Sequence, residues 1–388
     1  MLQPGGSQIF WKYLVAHPSR QVRELFLSTA IMDFAVAAIT IFEPIYLFKI
    51  GFSIPQIILF YLSIYGFYFV IQPLGGKITR SRGYEHGIIF STPFLILYYL
   101  SLFAIPYSPL FAAVAVIAFA IQKTLYWPGF HADFARFGSV AERGREFGAL
   151  VFLLSISAVT GPVFGGLILK FFGFPALFVI VSLIILLSNI PLLTTPEKFK
   201  PRELSYRDAY KRLFRPEHRR LVLAHIGYGE ELFAAVLWPL MMFSIIGHFA
   251  TLGLIVTLGT LFTAVVGFVI GRLTDTAPRR SILRLGGIFT ALSWLTRITV
   301  ASPLAVLGIE AIYRSGRMAQ ALPMTAMTYD RGREYSVTKT ALLFEMAVVI
   351  GKASAALFAL LAFIFAPDYA WPIVYLLAAA YTLLYLVF

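Results

Sequence analysis

Long apolar runs separated by short polar segments form the main pattern of the chain. A helix needs about 20 apolar residues to cross the hydrocarbon core of a bilayer, and an isolated strand or loop is not stable there. We therefore predict an all-α integral membrane protein with twelve transmembrane helices. They cover residues 24–48, 54–75, 86–106, 108–130, 147–170, 173–194, 221–245, 249–270, 281–301, 303–327, 338–364 and 369–388.

The composition agrees with this pattern, because 59% of the residues are hydrophobic and only 13% are charged. Soluble proteins are about 25% charged. The chain has no cysteine, which excludes disulfides, thiolate catalysis and cysteine-based metal sites. The sequence also has no phosphate-binding loop, no His-Glu-x-x-His zinc motif and no nucleophile elbow. We expect neither an enzyme nor a bound cofactor or metal.

Basic residues are concentrated on one side of the predicted spans. With the N-terminus inside, the N-terminal segment and alternate loops hold 25 of the 32 Lys and Arg, and the outer loops hold only Lys49 and Lys170. The positive-inside rule then predicts that both termini are cytoplasmic, in a protein of the inner cell membrane. The net charge of +13 indicates contact with anionic lipid headgroups on the cytoplasmic side, and we expect no nucleic-acid partner.

The two halves of the chain repeat each other at an offset of 195 residues. Three landmarks keep this offset: Pro44 with Pro239, Gly76 with Gly271, and Pro128 with Pro323. The tetrapeptide RGRE also occurs twice, at Arg143 and at Arg331. We therefore predict a six-helix bundle over residues 1–196, a basic cytoplasmic linker over residues 197–220, and a second six-helix bundle over residues 221–388.

Twelve helices in two halves with a basic central linker resemble the major facilitator superfamily of transporters. The most specific segment is GRLTDTAPRR, at Gly271–Arg280, between the eighth and ninth predicted spans. It is similar to that family's Gly-x-Leu-x-Asp-x-x-Gly-Arg-Arg element, although Pro278 replaces the second glycine. The first-half copy keeps Gly76 but has Arg80 in place of the acid. The resemblance implies two bundles with a substrate path between them.

A second element is GPVFGG in the fifth predicted span, formed by Gly161, Pro162, Gly165 and Gly166. It is similar to the Gly-Pro-x-x-Gly-Gly element of the proton-coupled drug antiporters in that family, although Ser157 stands where a glycine is usual. The resemblance therefore implies the 12-helix drug antiporter subgroup.

The resemblance also implies a conformational latch on the cytoplasmic side that holds the outward-open state. In that family the loop after one half's second helix lies against the other half's fifth-type helix, whose N-terminus is positively polarised. The alternative is that both loops simply anchor at lipid headgroups. The predicted latch residues are Gly271, Asp275, Arg279, Arg280, Arg143, Arg145, Gly76, Arg80, Asp330 and Glu334.

Eleven ionisable side chains fall within the predicted spans, where an unpartnered charge costs at least about 2.5–3.5 kcal/mol. They are Asp33, Glu43, Lys123, Glu230, Glu231, Arg297, Glu310, Arg314, Arg317, Glu345 and Lys352. In the resembled family, ten of these positions belong to helices that line or flank the central cavity. We expect the exception, Arg297, to reach the outer surface by snorkelling, and we interpret Glu43 as solvated near the outer end of its span.

Burial without a cationic partner favours the neutral form of a carboxyl group, as a proton carrier requires. The proton-coupling candidates are accordingly Asp33, Glu230, Glu231 and Glu345. Neighbouring residues point about 100° apart on a helix, so we expect only one of Glu230 and Glu231 in the cavity. The predicted substrate-cavity residues are Lys123, Tyr126, Trp127, Trp238, Glu310, Arg314, Arg317 and Lys352.

Glu310 and Arg314 are four residues apart on one helical face, and we favour a structural ion pair between them. The alternative is that Glu310 carries protons and that the two arginines of this helix bind substrate.

These features together predict a monomeric secondary transporter that uses alternating access and a proton gradient to move a small molecule. The leading hypothesis is proton-coupled export of lipophilic or cationic compounds, which aromatic side chains can contact through their ring faces. The alternative is proton-coupled uptake or exchange of an organic anion or sugar, because Arg314 and Arg317 suit a carboxylate. A hypothesis from another class is a lipid scramblase or sensor on the same fold.

Overall fold

The computed structural model describes residues 20–136, 143–194, 205–335 and 337–388. Within these ranges, the side chains of residues 20–22, 132–136, 143–153, 268, 271–276, 326, 329–335 and 337–338 are not described. The described residues form helices joined by short turns, and no β-strand occurs among them. The prediction of an all-α fold is confirmed for this part of the chain.

The helices follow the order of the predicted spans. The first predicted half contains α1 (Arg20–Ile39), α2 (Glu43–Lys49), α3 (Ile54–Arg82), α4 (Tyr84–Ala104), α5 (Leu110–Arg136), α6 (Arg143–Phe171) and α7 (Gly173–Ser188). The linker contains α8 (Tyr206–Leu213). The second predicted half contains α9 (Arg219–Ile226), α10 (Glu230–Leu232), α11 (Trp238–Ile246), α12 (Phe249–Thr276), α13 (Arg279–Thr296), α14 (Pro303–Tyr335), α15 (Val337–Phe365) and α16 (Ala370–Leu383).

Ten helical segments of the described chain are long and apolar enough to cross a membrane. The ninth and tenth predicted spans are present as α13 and α14 but are not among these ten. The reason is their charge: α13 begins with Arg279 and Arg280, and α14 carries three ionisable residues near its middle. The exact number of twelve membrane-spanning helices therefore stays a prediction.

The first and seventh predicted spans are both interrupted, and a proline restarts the helix in each. Pro44 lies in the first turn of α2, after a turn at residues 40–42. Pro239 lies in the first turn of α11, after a π-helical segment at Phe233–Leu237. Proline suits this position because the first residues of a helix need no N–H partner. The repeat landmarks thus occupy equivalent places in the two halves.

The motif that we interpreted as a loop between the eighth and ninth spans is mostly helical. Residues 271–276 form the last turns of α12, and α13 already begins at Arg279. In the first-half copy, α3 continues to Arg82, and Gly83, with a φ of 121°, ends it. The prediction of a ten-residue break was wrong. The apolar run stops near Gly271, but the residues after it still favour helix until Pro278, which cannot donate the next backbone hydrogen bond.

The most extensive contacts between the predicted halves are those of α3 with α15 and of α6 with α12; α5 also packs on α15, and α2 on α11. The GPVFGG element lies at the second of these contacts. A Cβ atom on Gly166 would lie 2.7 Å from the carbonyl oxygen of Phe249, and one on Gly165 would collide with the carbonyl oxygen of Ala38 on α1. Across the same contact, the Thr257 hydroxyl donates a 2.7 Å hydrogen bond to the Val159 carbonyl. Small residues therefore allow α6 to approach both α1 and α12 closely.

The linker helix α8 packs on α3 and α15, one helix from each predicted half. The Tyr210 hydroxyl donates to the Phe69 carbonyl at 2.8 Å, and the Tyr206 hydroxyl donates to the Val70 carbonyl at 2.7 Å. Phe69 would normally accept from the N–H four residues later, but Pro73 occupies that position and has none. Tyr210 therefore supplies the hydrogen bond that Pro73 removes from α3.

Replacing Tyr210 by Phe should lower the melting temperature of the purified protein, because the Phe69 carbonyl loses its donor at a cost of about 1 kcal/mol. The matched control is Tyr369→Phe, since Tyr369 is largely exposed. In a Pro73→Ala background, an N–H is restored at residue 73, and Tyr210→Phe should then lower the melting temperature by a smaller amount. An equal loss in both backgrounds, measured by thermal unfolding in detergent, would contradict this role of Tyr210.

Candidate functional site

A cavity of about 220 Å³ lies between the two predicted halves. Its walls come from α3 and α5 on one side, and from α9 and α10 with the turn between them, α14 and α15 on the other. Pockets for drug-sized ligands usually measure about 300–1,000 Å³, so this cavity suits a smaller molecule. Five predicted site residues line it: Lys123, Trp127, Glu231, Glu345 and Lys352.

Glu345 connects the halves across the cavity. The Oε1 atom of Glu345 lies 3.1 Å from Nε2 of His131 on α5, and its Oε2 atom accepts a 3.2 Å hydrogen bond from the Tyr68 hydroxyl on α3. All three side chains are buried, with 7%, 8% and 2% of their surface exposed. A carboxylate on one half is thus held by a titratable imidazole and a phenol from the other half.

Glu231 and Lys352 form a second charged pair on the cavity wall. The Lys352 ammonium lies 2.7 Å from Oε2 of Glu231, and the Arg317 guanidinium binds the other carboxylate oxygen. Lys352 also lies 5.8 Å from the centre of the Tyr65 ring on α3, which places this cation at the boundary between the halves.

Glu230 points away from the cavity into the second half. It is completely buried and lies 2.7 Å from Nε of Arg317. The Trp294 indole N–H donates to it at 3.1 Å, and the Tyr313 hydroxyl donates at 3.1 Å. The expectation that only one of the two adjacent glutamates enters the cavity agrees with these positions, and Glu231 is the one that does.

Glu310 lies in a separate buried cluster and does not line the cavity. Arg314 contacts it at 2.7 Å, so the structural ion pair that the helical spacing favoured is present. The Trp238 indole N–H donates to Glu310 at 2.7 Å, and the Arg297 guanidinium lies 3.4 Å away. Arg317 is held by the two glutamates of α10. Trp238, Glu310, Arg314 and Arg317 are not among the residues that line this cavity, and each contacts a partner inside the second half; their role in substrate binding stays a prediction.

Arg297 does not snorkel to the outer surface. Only 2% of it is exposed, and its guanidinium lies 3.6 Å from the Trp294 ring centre and 4.2 Å from that of Trp238. The prediction failed because a buried carboxylate and two aromatic faces offer this cation a closer partner than water does.

Glu43 is also buried, with 4% of its surface exposed, whereas we expected it to be solvated. The hydroxyl of Tyr98 donates to it at 2.8 Å and that of Tyr61 at 3.4 Å. These tyrosines come from α4 and α3, which enclose the start of α2 and exclude water.

Asp33 and Tyr126 are not among the residues that line the cavity. Tyr126 is buried, and Asp33 acts on it electrostatically. Among the described residues, Asp33 has no hydrogen bond or ion pair. The Tyr126 ring packs against Trp127 and Phe130 on its own helix, and a substrate-cavity role of Tyr126 stays a prediction. A proton-coupling role of Asp33 stays a prediction.

The latch also stays a prediction, because most of its side chains lie outside the described residues. These are Asp275, Arg143, Arg145, Asp330 and Glu334, and residue 271 belongs to the same undescribed group. Gly76 and Arg80 are buried on α3, whereas Arg279 and Arg280 are exposed at the start of α13. The described backbone does bring α12 against α6, as the latch requires.

Sequence reasoning missed several polar residues of the cavity, among them His131, His225 and Tyr68. Their common signal is a polar side chain within or just beyond an apolar run. None of the three belongs to the eleven ionisable residues or to the three aromatic residues, Tyr126, Trp127 and Trp238, that the sequence predicted for the site.

The family comparison agrees with this architecture. A family model described as Major Facilitator Superfamily matches residues 25–246, which is more than half of the chain. No curated protein matches the sequence.

Replacing Arg317 by Gln should strongly destabilise the protein, because Glu230 would remain buried without its cation. Breaking a buried pair in this way costs about 3–5 kcal/mol. Arg215→Gln is the matched control, since Arg215 pairs with Glu217 at an exposed site. This substitution should lower the free energy of unfolding by less than about 1 kcal/mol. The readout is the melting temperature and the yield of monodisperse protein.

The double variant Glu230→Gln, Arg317→Gln should recover part of the lost stability, because it removes the stranded carboxylate. Equal melting temperatures for Arg317→Gln and Arg215→Gln would show that the buried cluster does not stabilise the second half.

Proposed function

The chain belongs to the major facilitator superfamily, and we propose that it is a secondary transporter that moves a small molecule by alternating access. The observation that supports this most directly is the cavity between the two predicted halves, together with the titratable pair that bridges it. The most extensive contacts between the halves are two helix pairs, α3 with α15 and α6 with α12, and small residues line the second of them, a geometry that suits rocking about a central site. In this proposal both termini are cytoplasmic, as the distribution of Lys and Arg indicates.

We place the proton-coupling step at Glu345 and His131. With Glu345 ionised and His131 protonated, the pair attracts across the cavity, and adding a proton to Glu345 or removing one from His131 ends that attraction. Histidine is the side chain whose charge changes most readily near neutral pH. Binding and release of one proton would thus change how firmly the halves hold together on that side.

Several other charged or titratable groups face this pair and would share in its titration. They are Tyr65 and Tyr68 on α3, Lys123 on α5, His225 on α9, Tyr228 in the turn before α10, Glu231 on α10 and Lys352 on α15. Both hydrogen bonds of the Glu345 carboxylate go to residues of the first half, Tyr68 and His131. For this reason we favour Glu345 over Asp33, Glu230 and Glu231 as the coupling residue.

The direction of transport and the substrate rest on fewer contacts than the coupling step does. Proton-coupled export of lipophilic or cationic compounds was favoured by the GPVFGG element, but its glycines have a packing role at α1 and α12 that either direction of transport would use. Aromatic walls at Tyr65, Trp127, Tyr228 and Phe344 suit a compound with a flat apolar part. A lipid scramblase on the same fold would move lipid and show no solute flux, which separates it from this proposal.

Replacing Glu345 by Gln should remove the pH response of the conformational equilibrium, because Gln keeps the shape but cannot bind or release the proton. The chain has no cysteine, so single cysteines for spin labels can be introduced at Ser81 on α3 and Ser281 on α13, both exposed. We expect the distance distribution of the wild type in lipid to change between acidic and alkaline buffer. That of Glu345→Gln should be the same in both.

Glu217→Gln is the matched control, since Glu217 lies on the exposed linker and should leave the pH response intact. An unchanged pH response in Glu345→Gln, with loss of the response in Asp33→Asn, would transfer the coupling role to Asp33 and contradict our assignment.

A further inference from the structure

Lys123 is a cation on the cavity wall without a carboxylate partner. Its ammonium group lies 4.2 Å from the centre of the Phe119 ring, one turn earlier on α5. It forms no salt bridge with any carboxylate among the described residues; Glu345, Glu43 and Glu231 act on it only over longer distances. A cation placed in a membrane protein at such a cost is a functional site by default.

The other charges around the cavity are already matched. Glu230, Glu231, Arg317 and Lys352 form one cluster with two carboxylates and two cations. Glu345 is paired with His131. Lys123 is therefore the charged residue of this wall that has no counter-ion in direct contact. The charge left unmatched is positive.

Lys352 strengthens this asymmetry, because its positive charge repels that of Lys123. The two lysines belong to opposite halves, on α5 and α15, and both line the same cavity. Two cations that repel each other across a cavity are stabilised by an anion between them.

We propose that the cavity binds a small organic anion whose carboxylate or phosphate lies between Lys123 and Lys352. The inference rests on the proposed function as a transporter and specifies its substrate class. The anionic group contacts one lysine from each half, so the bound anion favours the state in which both are close. The apolar part of the ligand packs between Trp127 and Phe344, which also line the cavity. This assigns to Lys123 the role that we had expected of Arg314 and Arg317.

The test uses three probes that share one ring and differ in charge: benzoate, benzyl alcohol and benzylammonium, with phenyl phosphate as a second anion. Binding to the purified full chain in detergent is measured by calorimetry. We expect benzoate or phenyl phosphate to bind more tightly than the neutral and cationic probes. Tighter binding of benzylammonium, or no binding of either anion, would overturn the proposal, and this comparison needs no variant.

The variants test whether Lys123 supplies the charge. Lys123→Met should weaken binding of the anionic probe at least about tenfold, as expected for loss of a charged hydrogen bond. Lys123→Arg keeps the charge and should retain most of the affinity. The matched control is Lys170→Met, because Lys170 is exposed and outside the cavity. Equal affinity of wild type and Lys123→Met would overturn the assignment.

Transport assays distinguish failure of this inference from failure of the proposed function. In proteoliposomes with an imposed pH gradient, Lys123-dependent flux of the anionic probe supports both. If the probe binds in a Lys123-dependent way but does not cross the membrane, the anion site stands and the transport proposal fails. If cationic or neutral probes are transported and the anions are not, the transport proposal stands and the anion site is wrong.

Discussion

The cost of placing a charge in hydrocarbon is the constraint on which the rest of this structure depends. An ionised side chain within a membrane span must find a partner or water, because the bilayer core provides neither. The second half solves this with two clusters, in which Arg317 serves both glutamates of α10, while Arg297 and Arg314 share Glu310. Indole and phenol groups donate the remaining hydrogen bonds.

The same constraint separates structural charges from functional ones. Glu230, Glu310 and Arg297 are almost completely buried, and each forms its ion pairs with groups of its own half. Glu345, Lys123 and Lys352 instead face a cavity between the halves, and Glu345 takes its partners from the opposite half. Contacts across that boundary are the ones that must break and form again if the halves rock. In the transporter that we propose, titration and ligand binding at these residues would change the same equilibrium that alternating access requires.

Much of the fold could be predicted from the sequence, because long apolar runs and the membrane together leave helix as the only option. Ten spans, the repeat landmarks Pro44 and Pro239 and the ion pair of Glu310 with Arg314 follow from such local patterns. The contacts of Arg297 and Glu43 could not be predicted, since their partners come from helices distant in sequence. His131 was missed for the same reason: its importance appears only when α15 brings Glu345 beside it. Local spacing also cannot tell which helix face meets the cavity, and Trp238 and Tyr126 are not among the residues that line it.

The central claim is that these polar groups surround a wet cavity and do not face lipid, and substituted cysteines test it most directly. The chain has no cysteine of its own. Single cysteines are introduced at Thr325 and Val348, which line the cavity, and at Leu183 and Leu186, which are exposed on the outer face of α7. Each variant is treated in membranes with a charged thiol reagent that does not dissolve in lipid. Reaction at the two cavity positions, with none at the two α7 positions until the protein is denatured, is the predicted result. Reaction at α7 with protection of both cavity positions would contradict the account.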